Sequence, residues 1–188
     1  MERNELYQKL TDLVNGFTFD EKEKKIIYSK QFLNSVNEFA QSDLSNKFFL
    51  QQFFPPYTKP FCEKKYWHGF AKILETRGLQ KIDDVKEDLF IWFQDGNWPG
   101  NEIMQPFIKN NKSYFKSSFI NSILKAIDVD DISWACYMID VFIINYDINE
   151  NNKKTIKTKF DNLQKSFSKQ DKKGFCEYFK NFVNEKMR

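Results

Sequence analysis

The sequence predicts an all-α protein built from stacked antiparallel helix pairs. Three observations predict it. Apolar residues recur every three to four positions along most of the chain, the spacing of one helix face. Only 6 Gly and 5 Pro punctuate 188 residues, too few for a many-stranded β fold. No segment sustains an alternation of period two. With 21 Phe, the core is expected to be rich in phenyl rings, which bury large areas per residue.

Taken in order, residues 4–15 place Leu6, Leu10, Leu13 and Val14 on one helix face, and Gly16 is a stop signal. A second helix is expected after Asp20, with Asp20 and Glu23 in capping-box spacing and a stripe of Ile26, Ile27, Leu33, Val36 and Ala40. Ser42 is a cap for a third helix that Pro55 and Pro56 terminate. Pro60 suits the first turn of a fourth, closed by Gly78. A fifth helix over 83–94 begins with acids that match the positive end of its dipole. Pro99 opens a sixth, carrying Ile103, Met104, Phe107 and Ile108. A seventh runs over 114–127. An eighth, over 130–146, is apolar almost all round and therefore central. Two polar amphipathic helices follow near 153–167 and 171–185.

The length suits one domain over 1–188: N-terminal helices in 1–80, helix pairs in 83–146, and basic helices in 150–188. Cys62, Cys136 and Cys176 are too far apart for a metal or redox motif and read as reduced thiols of a cytoplasmic protein. The N-terminus, MERNELYQKL, is not a signal peptide, and no apolar run is long enough to span a bilayer.

Catalytic chemistry has little to stand on. The sole histidine, His68, has no activated nucleophile nearby in sequence and reads as a helix-face residue among aromatics. Cys62 and His68 lack two further ligands for zinc, and no phosphate-binding glycine loop occurs. The expectation is a non-enzyme without cofactor or metal. His68 hydrogen-bonded to a carboxylate at the base of a deep cleft would overturn it.

One stretch is distinctive: Trp92-x-Gln94-Asp95-x-Asn97-Trp98-Pro99. Gly96 can take the left-handed conformation that ends a helix, Asn97 can cap the next, and Pro99 suits its first turn. Asp95 can accept backbone N–H bonds in the corner, and Trp92 and Trp98 can wedge two helices at a fixed angle. The motif resembles an uncharacterised bacterial helical-repeat family that shares W-x-Q-D-x-N-W-P. The next helix pair, ending in DDISWACYMI at 130–139, looks like the continuation of that family's pattern. The resemblance covers about 85–146. It implies a HEAT-like short solenoid, with an irregular helical bundle as the alternative. It also implies an immunity protein that binds a cognate toxin, and it brings no catalytic residues.

Charge agrees with that implication. Residues 79–150 carry 12 acidic and 6 basic side chains, whereas 151–188 carry 4 and 11. Many intracellular toxins are basic nucleases, and an inhibitor gains association rate by presenting carboxylates to them. The expected partner-binding residues are Asp83, Asp84, Glu87 and Asp88 with Asp128, Asp130 and Asp131, forming one acidic ridge; solvated helix starts are the plainer reading of each acid. The alternative partner is nucleic acid, bound by Lys153, Lys154, Lys157, Lys159, Lys165, Lys169, Lys172 and Lys173 with interleaved aromatics. Against it, Ile156, Phe160, Leu163 and Phe167 have the spacing of a packed stripe, and the segment has almost no Arg for specific readout. Because Asp95 is assigned a structural role, Asp95→Ala is expected to lower the thermal midpoint; unchanged stability with lost partner binding would contradict that role.

Overall fold

A computed structural model describes residues 3–53, 64–143, 146, 148–166 and 181–186. These are mostly helical: α1 (Arg3–Asn15), α2 (Lys30–Gln41), α3 (Asn46–Phe53), α4 (Trp67–Arg77), α5 (Asn101–Asn110), α6 (Lys112–Asp128), α7 (Ile132–Phe142) and α8 (Glu150–Ser166). Residues 181–186 are also helical. Two strands, β1 (Phe17–Asp20) and β2 (Lys25–Tyr28), form an antiparallel hairpin. The chain divides into two compact units. Unit 1 holds residues 1–85 and 97–107; unit 2 holds 86–96 and 108–188.

In unit 1, α2 packs against α1 and α4. Its buried face is Phe32, Val36, Phe39 and Ala40, at helical spacing. Phe39, Phe49 and Phe70 form a chain of rings with centroids 5.9 and 5.6 Å apart. Burying each such ring stabilises the fold by about 1.5–3 kcal/mol. Gly16 is required by space. A Cβ there would lie 2.5 Å from the Asp12 carbonyl oxygen and 2.5 Å from the Phe32 Cβ.

In unit 2, α6 packs against α7 and α8. The eighth expected helix is α7, and it is central: Ile132, Trp134, Ala135, Cys136, Met138, Ile139 and Phe142 are buried. Phe90 sits among Phe93, Phe115, Phe119 and Phe142, with centroids 5.9–6.2 Å away. The Trp134 indole N–H donates to the Phe90 carbonyl oxygen at 3.0 Å, fixing α7 to this cluster with a buried bond.

Several expectations are corrected. Residues 17–28 are a hairpin, not the start of a helix. Asp20 does accept the N–H groups of Lys22 and Glu23, as an N-cap would, but here those bonds close the turn. Lys24 then takes φ 51°, and the aromatic and β-branched residues on either side pair in register from Phe17↔Tyr28 to Asp20↔Lys25. The true cap of α2 is Ser29, whose Oγ accepts from the Phe32 N–H. Leu33, placed on the core stripe by the sequence, is exposed. Ser42 caps the C-terminal end of α2, donating from its backbone and hydroxyl to the Phe39 carbonyl, and does not start α3.

Residues 83–94 are not an α-helix. They form 3-10 turns over Asp83–Val85 and Asp88–Gln94. Three residues per turn aligns Leu89 with Trp92 and Phe90 with Phe93, and all four are buried. A 3.6-residue turn would fan those rows apart. Gly96 is not left-handed; that conformation falls to Gly78 (φ 73°) and Gly100 (φ 91°). Gly96 instead makes room for Tyr137, whose ring atoms would stand 2.9–3.0 Å from an added Cβ. Neither Asn97 nor Pro99 opens α5. Gly100 does, its carbonyl accepting the N–H groups of Ile103 and Met104. The expected stop at Pro55 and Pro56, the expected helix start at Pro60, and most of the helix at 171–185 lie outside the described residues.

Phe90→Ala is expected to cost about 3–5 kcal/mol in urea unfolding because a core cavity remains. Truncation of the exposed Phe19 is expected to stay within about 0.5 kcal/mol.

Candidate functional site

Two arrangements carry the chain's chemistry, one in each unit. In unit 2 the α6–α7 corner is built by a C-terminal cap. The Asp131 N–H donates to the Ala126 carbonyl at 2.9 Å and the Asp130 N–H to the Ile127 carbonyl at 3.1 Å. This bond pair turns the chain sharply and demands a left-handed residue, normally glycine. Asp130 fills the position with φ 59°. Asp is among the few side chains that tolerate it. Asp131 then caps α7, accepting from the Trp134 N–H at 3.0 Å.

The result is a rigid corner of sequence Asp128-Val129-Asp130-Asp131 at which Val129 is 59% exposed. Asp128 and Asp130 flank it and are exposed; Asp131 is partly buried. Asp128 holds the Lys159 ammonium at 2.5 Å. Glu87, also exposed, accepts from the Asn121 amide at 2.8 Å. Asn121 and Asp128 are seven residues apart on α6, so they share a face about 10 Å apart along the axis. Asp88 is exposed in the same unit. Asp83 and Asp84 are exposed in unit 1, where Asp84 accepts from the Asn46 amide at 2.6 Å. The seven predicted acids are thus divided five and two between the units. Glu87 and Asp128 are brought to one face of α6, and Asp128, Asp130 and Asp131 to one corner. Val129 went unnoticed in the sequence, since a single valine between acids carries no periodic signal.

The motif residues straddle the passage from one unit to the other. Trp92, Gln94 and Asp95 belong to unit 2 and Asn97, Trp98 and Pro99 to unit 1. Trp92 is fully buried. Asp95 and Asn97 are exposed, and Gln94 and Pro99 partly so. Trp98 packs edge-on against Trp67, centroids 4.6 Å apart.

In unit 1, His68 does meet a carboxylate. Its Nδ1 lies 2.5 Å from Glu102 Oε1 and its Nε2 3.1 Å from the Tyr28 hydroxyl. Phe17 stacks on the ring at 4.1 Å. Burial, with the charges of Glu102 and Glu75, pushes the Tyr28 hydroxyl up to about 12, so it stays protonated in its hydrogen bond with Nε2. Nδ1 then carries the proton given to Glu102. Burial acts to raise the Glu102 carboxyl, but the hydrogen bonds from His68 and from the Gly100 N–H outweigh it and hold the group below its ordinary value. The ring is 2% exposed and both nitrogens are engaged within the unit, so neither faces solvent. What this array does physically is tie the hairpin to α4 and α5. Sequence reasoning found the aromatics around His68 and missed Glu102 and Tyr28, which lie 34 and 40 positions away.

Among the described residues no group of three or more His, Cys, Asp or Glu side chains is placed to hold a metal, and no helix is long and apolar enough to cross a membrane. Cys136 is a buried thiol, and its burial pushes it up to about 12.

What these features define is a mostly helical protein with an acidic, apolar-tipped corner and an enclosed histidine. A family model described as a domain of unknown function, DUF5071, matches residues 62–177, well over half of the chain, and the chain belongs to that family. The match includes the whole W-x-Q-D-x-N-W-P motif and both sides of the α6–α7 corner. No curated protein and no solved structure matches the chain.

Because folding depresses the Glu102 carboxyl, its stabilisation is fully present above the ordinary value of 4.5 and is lost as pH falls below it toward the folded-state value. Glu102→Gln is expected to cost about 1 kcal/mol in urea unfolding at pH 7, discounted for the half-exposed carboxylate. The difference should narrow as pH falls from 7 through 4.5 and on toward the folded-state value. A constant difference across that range would assign the effect to shape, not charge.

Proposed function

We propose that the chain is a bacterial, cytoplasmic immunity-type protein that binds and neutralises a cognate toxin domain through the acidic α6–α7 corner. The observation that carries this reading is Asp130 at φ 59°, beside the exposed Val129. Glycine is the residue that the cap geometry favours there. An aspartate accepts about 1 kcal/mol of backbone strain in its place. Such strain at an exposed position fits a side chain retained for contact. Val129 supplies a small apolar centre, Asp130 beside it supplies negative charge, Asp128 on its other side is paired with Lys159, and Glu87 adds a carboxylate farther along the same face of α6. That is the pattern of an interface core with a polar rim. The cap bonds hold the corner in one conformation before any partner arrives, which lowers the entropy cost of binding.

The partner chemistry is basic, as in a nuclease that holds phosphates. The acidic excess over residues 79–150 supports steered association with such a surface. Asp83 and Asp84 belong to the proposal as further acids of unit 1. In the finer fold reading, α6 and α7, packed together through a three-residue connection, are one antiparallel pair of a HEAT-like stack. A non-catalytic role is consistent with a histidine whose two nitrogens are both occupied.

The nucleic-acid reading is weaker on a specific point. Ile156 and Phe160 of α8 are buried, so the Phe160 ring is not offered for base stacking. Lys153 and Lys159 are paired with Glu150 and Asp128.

Asp130→Gly separates a contact role from a folding role. It relieves the left-handed strain, so the thermal midpoint should hold or rise by a few degrees. Affinity for the proposed toxin partner, measured by calorimetry, should fall roughly tenfold and weaken with added salt. Unchanged, salt-insensitive affinity would contradict the proposal. Gel-shift binding of nucleic acid at physiological salt would favour the alternative.

A further inference from the structure

Unit 1 contains an open polar cavity of about 380 Å³ whose basic residues none of the preceding roles uses. It lies where α2 ends and α3 begins. Asp43, Ser45, Asn46, Arg77, Lys81 and Asp84 are among its walls. Its size falls within the range of small-molecule sites.

Arg77 is the unusual wall residue. One terminal nitrogen donates to Asn46 Oδ1 at 2.7 Å, and the other to the carbonyls of Phe39 and Ser42 at 3.0 and 3.2 Å. The Phe49 ring lies 4.9 Å below the guanidinium. These contacts fix the orientation of the fork, yet every acceptor is neutral. The Nε–H is buried with no acceptor. Among the described residues no carboxylate lies within ion-pair distance of Arg77 or of Lys81. Asp84, the nearest acid in its effect on Arg77, is instead engaged by the Asn46 amide. Asn46 is itself fully committed, accepting from Arg77 and donating to Asp84 and to the Lys81 carbonyl.

A half-buried cation held rigidly without a counter-charge is costly to the fold, and the terminal nitrogen that donates to Asn46 keeps a second N–H for an oxyanion to accept. Lys81 adds a second cation. The start of α3 at Asn46 adds the positive end of a helix dipole. Asp43 and Asp84 limit the total negative charge that can enter, and they offer acceptors to donors elsewhere on the ligand.

We propose that this cavity binds a small polar molecule through a single oxyanionic group, a phosphate or a carboxylate, held by Arg77 and Lys81. Hydroxyl or amine donors on the same molecule face Asp43 and Asp84. The site lies wholly in unit 1 and does not depend on the acidic corner, so either proposal can fail alone.

The test uses the full chain and two probes, inorganic phosphate and acetate, in separate titrations followed by amide NMR. Saturable shifts confined to Ser42–Asn46, Arg77 and Lys81 are expected for at least one probe, and the probe that binds names the oxyanion. Lys81→Gln removes only a charge at an exposed position, since Asn46 uses the Lys81 carbonyl and not its side chain. It should leave the spectrum of the free protein intact and weaken binding at least threefold. Lys25→Gln, on the hairpin, should not. Shifts that never saturate, shifts scattered over surface lysines, or equal affinity in Lys81→Gln would each overturn the proposal.

Discussion

Phe90 is the side chain on which unit 2 depends. Four other phenyl rings surround it, and its own carbonyl anchors the Trp134 indole of α7. The 3-10 geometry of 88–94 is what allows Leu89, Phe90, Trp92 and Phe93 all to face inward. With α7 fixed to that cluster and α6 packed on α7, the three-residue connection between them has no freedom left. The corner it forms is therefore rigid because the core beneath it is. The cap bonds set the conformation of the left-handed aspartate and the exposed valine, and the phenylalanine core fixes the two helices between which those bonds form.

Unit 1 solves a different problem. A two-stranded hairpin is marginal by itself and needs a surface to lie on. His68 provides it, stacking on Phe17 and hydrogen-bonding Tyr28, while Glu102 of α5 accepts from its other ring nitrogen. The arrangement has the connectivity of an acid–histidine–hydroxyl relay, but its energetics run the other way. The hydroxyl is held protonated and both ring nitrogens are occupied. The same groups that would activate a nucleophile in an open site here fasten one piece of secondary structure to two others.

Legibility in the sequence followed the range of the interaction. The helical class, the centrality of α7 and the phenylalanine core were readable because periodicity is local and repeats many times. Ile156 and Phe160 were correctly read as a packed stripe for the same reason. The hairpin was misread because an aspartate accepting N–H groups two and three residues on looks alike at a helix start and at a turn. Gly96 was misread as left-handed because a glycine that meets a tight contact, as Gly96 does with Tyr137, and one at a left-handed bend, as Gly100 is, look alike in sequence. Glu102, Tyr28 and the Arg77 cavity were invisible because their partners are more than thirty positions away. The acids of the corner were legible as charges, while Val129 at their centre was not.

The proposal that the working surface of this protein is the α6–α7 corner is tested most directly by hydrogen–deuterium exchange on the chain, free and with the proposed toxin partner bound. The account predicts slowed exchange in a continuous footprint over the end of α6, residues 129–131 and the start of α7, with the hairpin unchanged. A footprint centred on Tyr28, His68 and Glu102, with the corner exchanging as in the free chain, would contradict it.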